Sequence, residues 1–361
     1  MTKNKTILLA AGGTGGHLFP ALALAEELKQ FKTTIHLVTD IRCKKYLTKN
    51  LPVTTHIIDI HLKMSGMLSK IKSILQLLLA CIKALFLIKK INPDVIVGFG
   101  GYPSFPPMFA AKLLNIPIII QEQNCFLGKS NRFFTKSAKI IALSYENKKN
   151  IDPEHRSKTL VIGDILRRSI KDLSKKTNFN AKKTFHIFVV GGSQGAKIFS
   201  TLIPNVLKKL RESNPDIKIS ITQQVANIEK EKLAELYESL NLEYELSDFF
   251  HNISEIYDKS QLVISRAGAS TIAELSYIGL PAIFIPLPHA MENHQYFNAK
   301  SIADGGGGWC YKQSNISPEI LAHKINELIS DRTLLIKASA KLLNRKTDGA
   351  KYFADTILKK I

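Results

Sequence analysis

A length of 361 residues accommodates two domains of ordinary size, and a hydrophobic share of 45% supplies real cores, which excludes a disordered chain. Lys and Arg total 50 against 30 Asp and Glu, a net charge of +20 that suits an anionic partner such as nucleic acid, acidic lipid or a phosphorylated substrate, unless the lysines are spread only for solubility. Cys43, Cys81, Cys125 and Cys310 lie far apart without a C-x-x-C pair, which argues against a disulfide frame or a zinc site and fits a reducing cytosol.

Thr6 to Ala10 reads as a buried first strand and not as a signal peptide, because its short apolar run leads directly into glycines. The turn Ala11-Gly12-Gly13-Thr14-Gly15-Gly16-His17 follows, and Pro20 is expected to open a helix through Leu28. A Gly-rich turn between a first strand and a first helix lets a ligand touch backbone. It is not G-x-G-x-x-G, and Asp40 is the only candidate for a ribose acid about 20 residues on. Strands are expected at Ile35–Thr39, Pro93–Gly98 and Ile116–Ile120. The second of these ends in Phe99-Gly100-Gly101-Tyr102-Pro103-Ser104 and the third in Gln121-Glu122-Gln123-Asn124. Ligands of open α/β sheets bind at that carboxyl edge.

A boundary is expected between Ile162 and Ser174, after which the pattern restarts. Thr184 to Val190 reads as a strand, Gly191-Gly192-Ser193-Gln194-Gly195-Ala196 as a turn, and Ile198 to Leu210 as a helix. Further strands are expected at Ile217–Thr222 and Tyr244–Leu246. Leu262–Ser265 is a strand, Arg266 to Thr271 a small-residue turn, Ile272, Leu275 and Ile278 one helix face, and Ala282–Pro286 the next strand. That is a βαβ unit of a parallel sheet. A small-residue turn at a helix start suits a phosphate. Glu274, one turn in, either accepts hydrogen bonds from a ribose diol or complements the helix dipole. Gly305 to Gly308 is expected to be a tight turn after a helix ending near Asp304. Helices at Pro318–Ile329 and Thr333–Leu343 close the pattern.

Several strings in order, GGTGGHxxPAxALAxEL, Gly-Gly-Tyr-Pro-Ser, Glu-Gln-Asn, RAGASTxxE with G-L-P, and HxxxxxQxxNA, resemble glycosyltransferase family 28, and within it the bacterial enzymes that complete lipid II. The resemblance covers nearly the whole chain. It implies a GT-B fold, α/β, with two Rossmann-like parallel-sheet domains facing a cleft. Residues 1–163 would bind the acceptor and the membrane, and residues 164–344 would bind UDP-GlcNAc. The tail 345–361 would pack back on the first domain. The implied reaction is inverting transfer of GlcNAc from UDP-GlcNAc to the 4-hydroxyl of undecaprenyl-diphosphate-MurNAc-pentapeptide, lipid I. A related GT-B enzyme with another lipid-linked or small acceptor is the alternative. A nucleic-acid-binding protein lacks support, since the chain shows no helix-turn-helix, RNP-like string or aromatic-basic stripe.

For the donor, the resemblance implies phosphate contacts from Ser193, whose other reading is a helix N-cap. It implies a backbone contact to uracil at Phe250, a helix start at Ala269, Ser270 and Thr271 continuing through Ile272 and Ala273, the ribose on Glu274, and sugar hydroxyls on Gln295, otherwise a surface glutamine. His294 stands beside Gln295 where a second amide is usual. Arg167 would add a cation, although Gly163-Asp164-Ile165-Leu166-Arg167 departs from the family's Gly-Asn-Pro-Val-Arg, losing a fixed φ and adding a negative charge. The chain has no D-x-D, so neither cofactor nor protein-bound metal is expected, and leaving UDP is stabilised by helix starts and N–H groups. For the acceptor it implies His17, Tyr102, Ser104, Glu122 and Asn124, the last also reaching the donor side, and it implies substrate contacts from Thr14, Gly15 and Gly16. His17 is the first candidate for the base that takes the attacking proton, its unperturbed pKa lying near neutrality, and Glu122 is the reserve. The other reading of His17 is a group that holds the loop or an acceptor phosphate.

Ile71 to Lys90 is apolar and punctuated by lysine. Ile71, Ile74, Leu75, Leu78, Ile82 and Leu85 share one helical face, while Leu77, Leu79, Phe86 and Leu87 extend it beyond a single core stripe. Only ten residues separate Lys72 from Lys83, so a bilayer span is not expected. With Lys63, Lys70, Lys89 and Lys90 the segment suits an anionic membrane surface, and the resemblance implies a peripheral place on the cytoplasmic face of the bacterial inner membrane; the other reading of the segment is a buried helix of the first domain.

Overall fold

The computed structural model describes residues 4–47, 51–60, 67–146, 151–173, 175, 179, 184–192, 197–288, 290 and 293–360. The chain forms two compact units, Met1–Arg167 with Asp348–Ile361, and Arg168–Thr347.

The first unit is a seven-stranded parallel sheet with helices between the strands. Its elements are β1 (Lys5–Ala10), α1 (Gly15–Leu28), β2 (Thr33–Thr39), β3 (Thr54–Ile57), α2 (Met67–Ile91), β4 (Val95–Gly98), α3 (Phe105–Leu113), β5 (Ile118–Glu122), α4 (Lys129–Phe134), β6 (Ala138–Leu143) and β7 (Thr159–Val161). Strand order is β3-β2-β1-β4-β5-β6-β7. β1, β4 and β5 are near-continuous apolar runs because both faces are covered. The order reverses between β1 and β4, and the loops leaving those two strands flank one crevice.

The second unit repeats the plan. It comprises α5 (Arg168–Lys171), β8 (Phe185–Val190), α6 (Lys197–Ser213), β9 (Ile219–Gln224), α7 (Asn227–Ser239), β10 (Glu243–Ser247), α8 (Ile253–Lys259), β11 (Leu262–Ser265), α9 (Ala269–Ile278), β12 (Ala282–Phe284), α10 (His294–Asp304), β13 (Gly308–Cys310), α11 (Pro318–Ser330) and α12 (Thr333–Leu343). Its sheet order, β10-β9-β8-β11-β12-β13, reverses between β8 and β11. The last helix, α13 (Ala350–Lys360), belongs to the first unit, where it packs on α1. At its start the Gly349 N–H donates to the Asp164 carbonyl at 2.6 Å. A Cβ on Gly349 would lie 2.0 Å from the Ile162 carbonyl oxygen, so the chain can approach this closely only with glycine.

Two expectations change, at the start of α1 and at the end of β12, and the packing of α2 is now defined. α1 begins at Gly15, not at Pro20, which sits inside the helix, so His17 lies in its first turn. β12 stops at Phe284, because the carbonyls of Ile285 and Pro286 turn to accept from Arg266. α2 buries Ser73, Ala80, Ala84 and Ile88, whereas Ile71, Ile74, Leu75, Leu78, Leu79, Ile82 and Phe86 are exposed. By length and composition alone Ile71–Ile91 is also long and apolar enough to cross a membrane, contrary to the lysine-spacing argument. Its buried stripe instead belongs to the core of this unit, beside α3.

Candidate active site

Residues from α1, β4 and β5 converge at the crevice of the first unit. Thr14 is the extended N-cap of α1, and its carbonyl accepts from the N–H groups of His17 and Leu18, both at 3.2 Å. The His17 ring then reaches the exit of β4, where its Nδ1 lies 2.8 Å from the Phe99 carbonyl oxygen. Gln123 Nε2, from the exit of β5, lies 2.7 Å from the same Nδ1. Gly100 and Gly101 have φ of 86° and 75°. A Cβ on Gly101 would stand 2.6 Å from the Gly12 carbonyl oxygen and 3.1 Å from His17 Cδ2. These loops therefore meet around the imidazole only because the side chains are absent.

Glu122 is 2% exposed and both its oxygens are engaged. Oε1 accepts from the Asn124 backbone N–H at 3.1 Å and from Asn124 Nδ2 at 2.9 Å. Oε2 accepts from the Gly128 N–H and from Asn131 Nδ2, both at 2.9 Å. The carboxylate thus shapes the loop that presents Asn124. Ser104 is fully buried and donates to the Gly101 carbonyl at 2.8 Å, so its hydroxyl holds the loop instead of lining the crevice. The Tyr102 hydroxyl donates to the Ile60 carbonyl at 3.3 Å, and the Arg42 guanidinium lies 4.6 Å from the Tyr102 ring centroid. Asp40 accepts from the Gly13 N–H at 3.2 Å and from Arg42 Nε at 2.6 Å. It therefore braces the Gly-rich turn and is not placed as a ribose acid. Arg167 stacks its guanidinium 4.4 Å from the centroid of Phe19 in α1. The Asp164 side chain is buried, and the Tyr145 hydroxyl donates to its Oδ2 at 3.5 Å.

In the second unit the turns after β8 and β11 stand at the switch point. The Gly191 N–H donates to Gln224 Oε1 at 3.1 Å, and Gln224 Nε2 donates to the Asp248 carbonyl at 2.9 Å, which ties the first turn to the loop after β10. Ser193 lies outside the described residues. The Phe250 side chain is buried edge-on against Phe188, with centroids 5.7 Å apart, so the ring serves the core of this unit. α9 starts at Ala269, and its N-cap, Gly268, contributes no side-chain bond. Ser270 and Thr271 are partly exposed in its first turn, whereas Ile272 and Ala273 are buried. Glu274 is 5% exposed and accepts from the Tyr257 hydroxyl at 3.1 Å, the pairing a buried carboxylate needs. Gln295 Oε1 accepts from the Leu287 N–H at 3.0 Å, which ties the segment after β12 to α10.

Arg266 was not assigned a role from sequence. It is buried and donates from Nη1 to the carbonyls of Ile285 at 2.9 Å and Pro286 at 3.0 Å, and from Nη2 to Gln313 Oε1 at 2.8 Å. It locks the β11 turn onto the exit of β12. An arginine between an apolar strand and a small-residue turn was the available signal. Among the described residues one trio, Asp152, Glu154 and His155, could converge on a cation; His155 Nε2 lies 3.2 Å from Glu154 Oε1.

The N-terminal domain of glycosyltransferase family 28 matches residues 7–143, and its C-terminal domain matches residues 186–353. The chain is 49% identical over 359 residues to a protein of Rickettsia bellii named UDP-N-acetylglucosamine--N-acetylmuramyl-(pentapeptide) pyrophosphoryl-undecaprenol N-acetylglucosamine transferase, covering 98% of this chain and 99% of that protein. It is 50% identical over 353 residues to a protein of the same name from Rickettsia canadensis, with the same coverage. Among solved structures it is similar to Acinetobacter baumannii MurG, at 30% identity and a TM-score of 0.75, over 98% of this chain and 99% of that one. Two parallel-sheet units of seven and six strands are those of a GT-B glycosyltransferase, and the chain belongs to glycosyltransferase family 28.

Proposed function

We propose that this enzyme transfers GlcNAc from UDP-GlcNAc to the 4-hydroxyl of the MurNAc-pentapeptide of lipid I, giving lipid II for peptidoglycan synthesis. Identity of about half over 98% of the chain to transferases with that printed name carries the reading. In the proposed chemistry the acceptor oxygen attacks the anomeric carbon from the face opposite UDP. A C–O bond forms, the bond to the β-phosphate oxygen breaks, and the configuration inverts. His17 takes the hydroxyl proton as the nucleophile commits. Asn124, held by Glu122, and the backbone of Thr14, Gly15 and Gly16 position the acceptor. We assign Glu122 a positioning role, since its four hydrogen bonds already use both oxygens.

On the donor side, the helix start at Ala269–Thr271, with Ser193, offsets the charge of leaving UDP. Glu274 takes the ribose diol, Gln295 the sugar hydroxyls, and the backbone at Phe250 the uracil. The reaction needs no metal in this scheme.

The exposed apolar face of α2 would rest on the anionic cytoplasmic surface of the inner membrane, bringing unit 1 to a prenyl-linked acceptor. At 100° per residue this face spans about 140° of the helix, and Lys72, Lys83 and Lys90 fall within about 20° of one another along one border. Lys63 lies outside the described residues, as does the side chain of Lys70.

Quantifying UDP release and disaccharide product from UDP-GlcNAc and a short-chain lipid I analogue tests the reading. His17→Ala is expected to lower kcat by about 10²–10⁴ with donor affinity intact. No disaccharide from the wild-type protein refutes the assigned activity.

A further inference from the structure

Two polar groups meet His17 Nδ1, and together they decide which ring nitrogen can take a proton. The Phe99 carbonyl is rigid: its own N–H donates to the Ala10 carbonyl at 2.9 Å, in continuation of the β1–β4 pairing, and its side chain is fully buried. A carbonyl oxygen only accepts, so at 2.8 Å it requires a hydrogen on Nδ1. The second group is the Gln123 amide, 5% exposed, with its nitrogen 2.7 Å from Nδ1 and its Oε1 buried without a hydrogen-bond partner. An amide N–H facing an Nδ1–H sets donor against donor. Turning the amide by 180° exchanges its two ends in the same space, relieves that conflict and brings the unpaired oxygen to the Nδ1 hydrogen.

In that arrangement Nδ1–H faces two oxygens and Nε2 keeps its lone pair. The opposite amide orientation favours a bare Nδ1 and a protonated Nε2, a ring that cannot accept a proton at Nε2. We propose that Gln123 is a positioning residue that, with the Phe99 carbonyl, holds His17 in the Nδ1–H tautomer and stabilises the imidazolium formed when Nε2 takes the acceptor proton. The pair is an uncharged counterpart of the carboxylate that orients the histidine of a hydrolase triad. This inference rests on His17 being the base.

The test uses the full-length protein labelled with ¹⁵N at histidine, with His17→Ala to assign the signal. Imidazole ¹⁵N shifts report the tautomer and its titration in wild type, Gln123→Met and Gln123→Glu. The kcat–pH profile with UDP-GlcNAc and a short-chain acceptor is recorded for the same proteins. In wild type the neutral His17 is expected as Nδ1–H. Gln123→Met should lower kcat roughly 10-fold and leave the UDP-GlcNAc KM unchanged. Gln123→Glu should retain the tautomer, recover kcat, and move the acidic limb of the profile upward by about one pH unit, because a carboxylate favours the imidazolium. A protonated Nε2 in the neutral wild-type ring overturns the proposal, even if neither variant folds. So does a His17 titration identical in wild type and Gln123→Met. If the imidazole responds to position 123 while the kcat profile does not, the positioning of His17 stands and its role as base is refuted.

Discussion

Glu122→Gln separates a structural carboxylate from a catalytic one. Oε1 accepts two donors from Asn124, and Oε2 accepts one each from Gly128 and Asn131. A glutamine amide has one oxygen and one NH2 group. Whichever way it is turned, two of the four donors then face another donor, so reorientation gives no escape. Hydrogen bonds to a charged group are worth about 1.5–3 kcal/mol each, and the displaced donors lie in a site where water has little access. Losing two, with some relaxation of the loop, predicts about 3–5 kcal/mol of destabilisation in the first unit. Urea denaturation measures it, and hydrogen exchange localises it: the amides of Asn124 and Gly128 should lose protection first. kcat should fall with the loosening of Asn124. A Glu122→Gln protein as stable and as protected as wild type, yet with kcat lowered 100-fold or more, would refute the positioning role and restore Glu122 as the base.

Glu274→Ala should raise the UDP-GlcNAc KM roughly 10- to 100-fold and change the acceptor KM little, and an unchanged donor kcat/KM argues against ribose recognition. Tyr257→Phe removes the bond that orients this carboxylate and should raise the same KM by a smaller factor. Replacing Lys72, Lys83, Lys89 and Lys90 with Glu should abolish binding to vesicles of anionic lipid while sparing turnover of a short-chain acceptor; undiminished binding by the folded variant rules the lysine border out. His36 and His56 stack with Nδ1 and Nε2 3.0 Å apart, and burial holds both below histidine's ordinary pKa. The unfolded chain therefore takes up these protons at higher pH than the folded one. Their contribution to stability is complete above about pH 6.5 and is lost as pH falls through the depressed values, a slope that a His36→Gln, His56→Gln double variant should flatten.

The sequence made the restarting sheets legible because buried parallel strands are unbroken apolar runs, as in Ile7–Ala10 and Leu262–Ile264, each followed by small residues. It was less informative at the edges. β3 is only Thr54–Ile57, with polar residues and intermediate or exposed positions, so no apolar run announces it. Motif strings located Glu274, Asn124 and His17, but they did not distinguish a side chain that faces a ligand from one that holds a loop. Ser104 and Tyr102 stand in the same string as Gly101, yet their hydroxyls bond to the carbonyls of Gly101 and Ile60. Asp40 has the spacing of a ribose acid, yet Gly13 and Arg42 occupy it. Such pairings depend on which loops lie adjacent across the sheet, and spacing along one strand does not contain that information.

α2 shows why periodicity alone left the packed face unassigned. Nearly every turn carries a large apolar residue, so the usual contrast between an apolar stripe and a polar one is missing. The decisive difference is size: Ser73, Ala80 and Ala84 lie on the packed side, with Ile88. Small side chains let a helix approach its neighbours closely, and the larger ones are then turned outward. The cost is an exposed surface of Ile71, Ile74, Leu75, Leu78, Leu79, Ile82 and Phe86, with Phe86 68% exposed. Isolated exposed apolar residues are ordinary, but seven on one helix face form a patch of the kind that marks an interaction surface. A water-facing helix could have been built with the same small stripe and polar residues outside it. The apolar choice at all seven positions, beside a row of lysines, is the feature on which the proposed lipid contact rests.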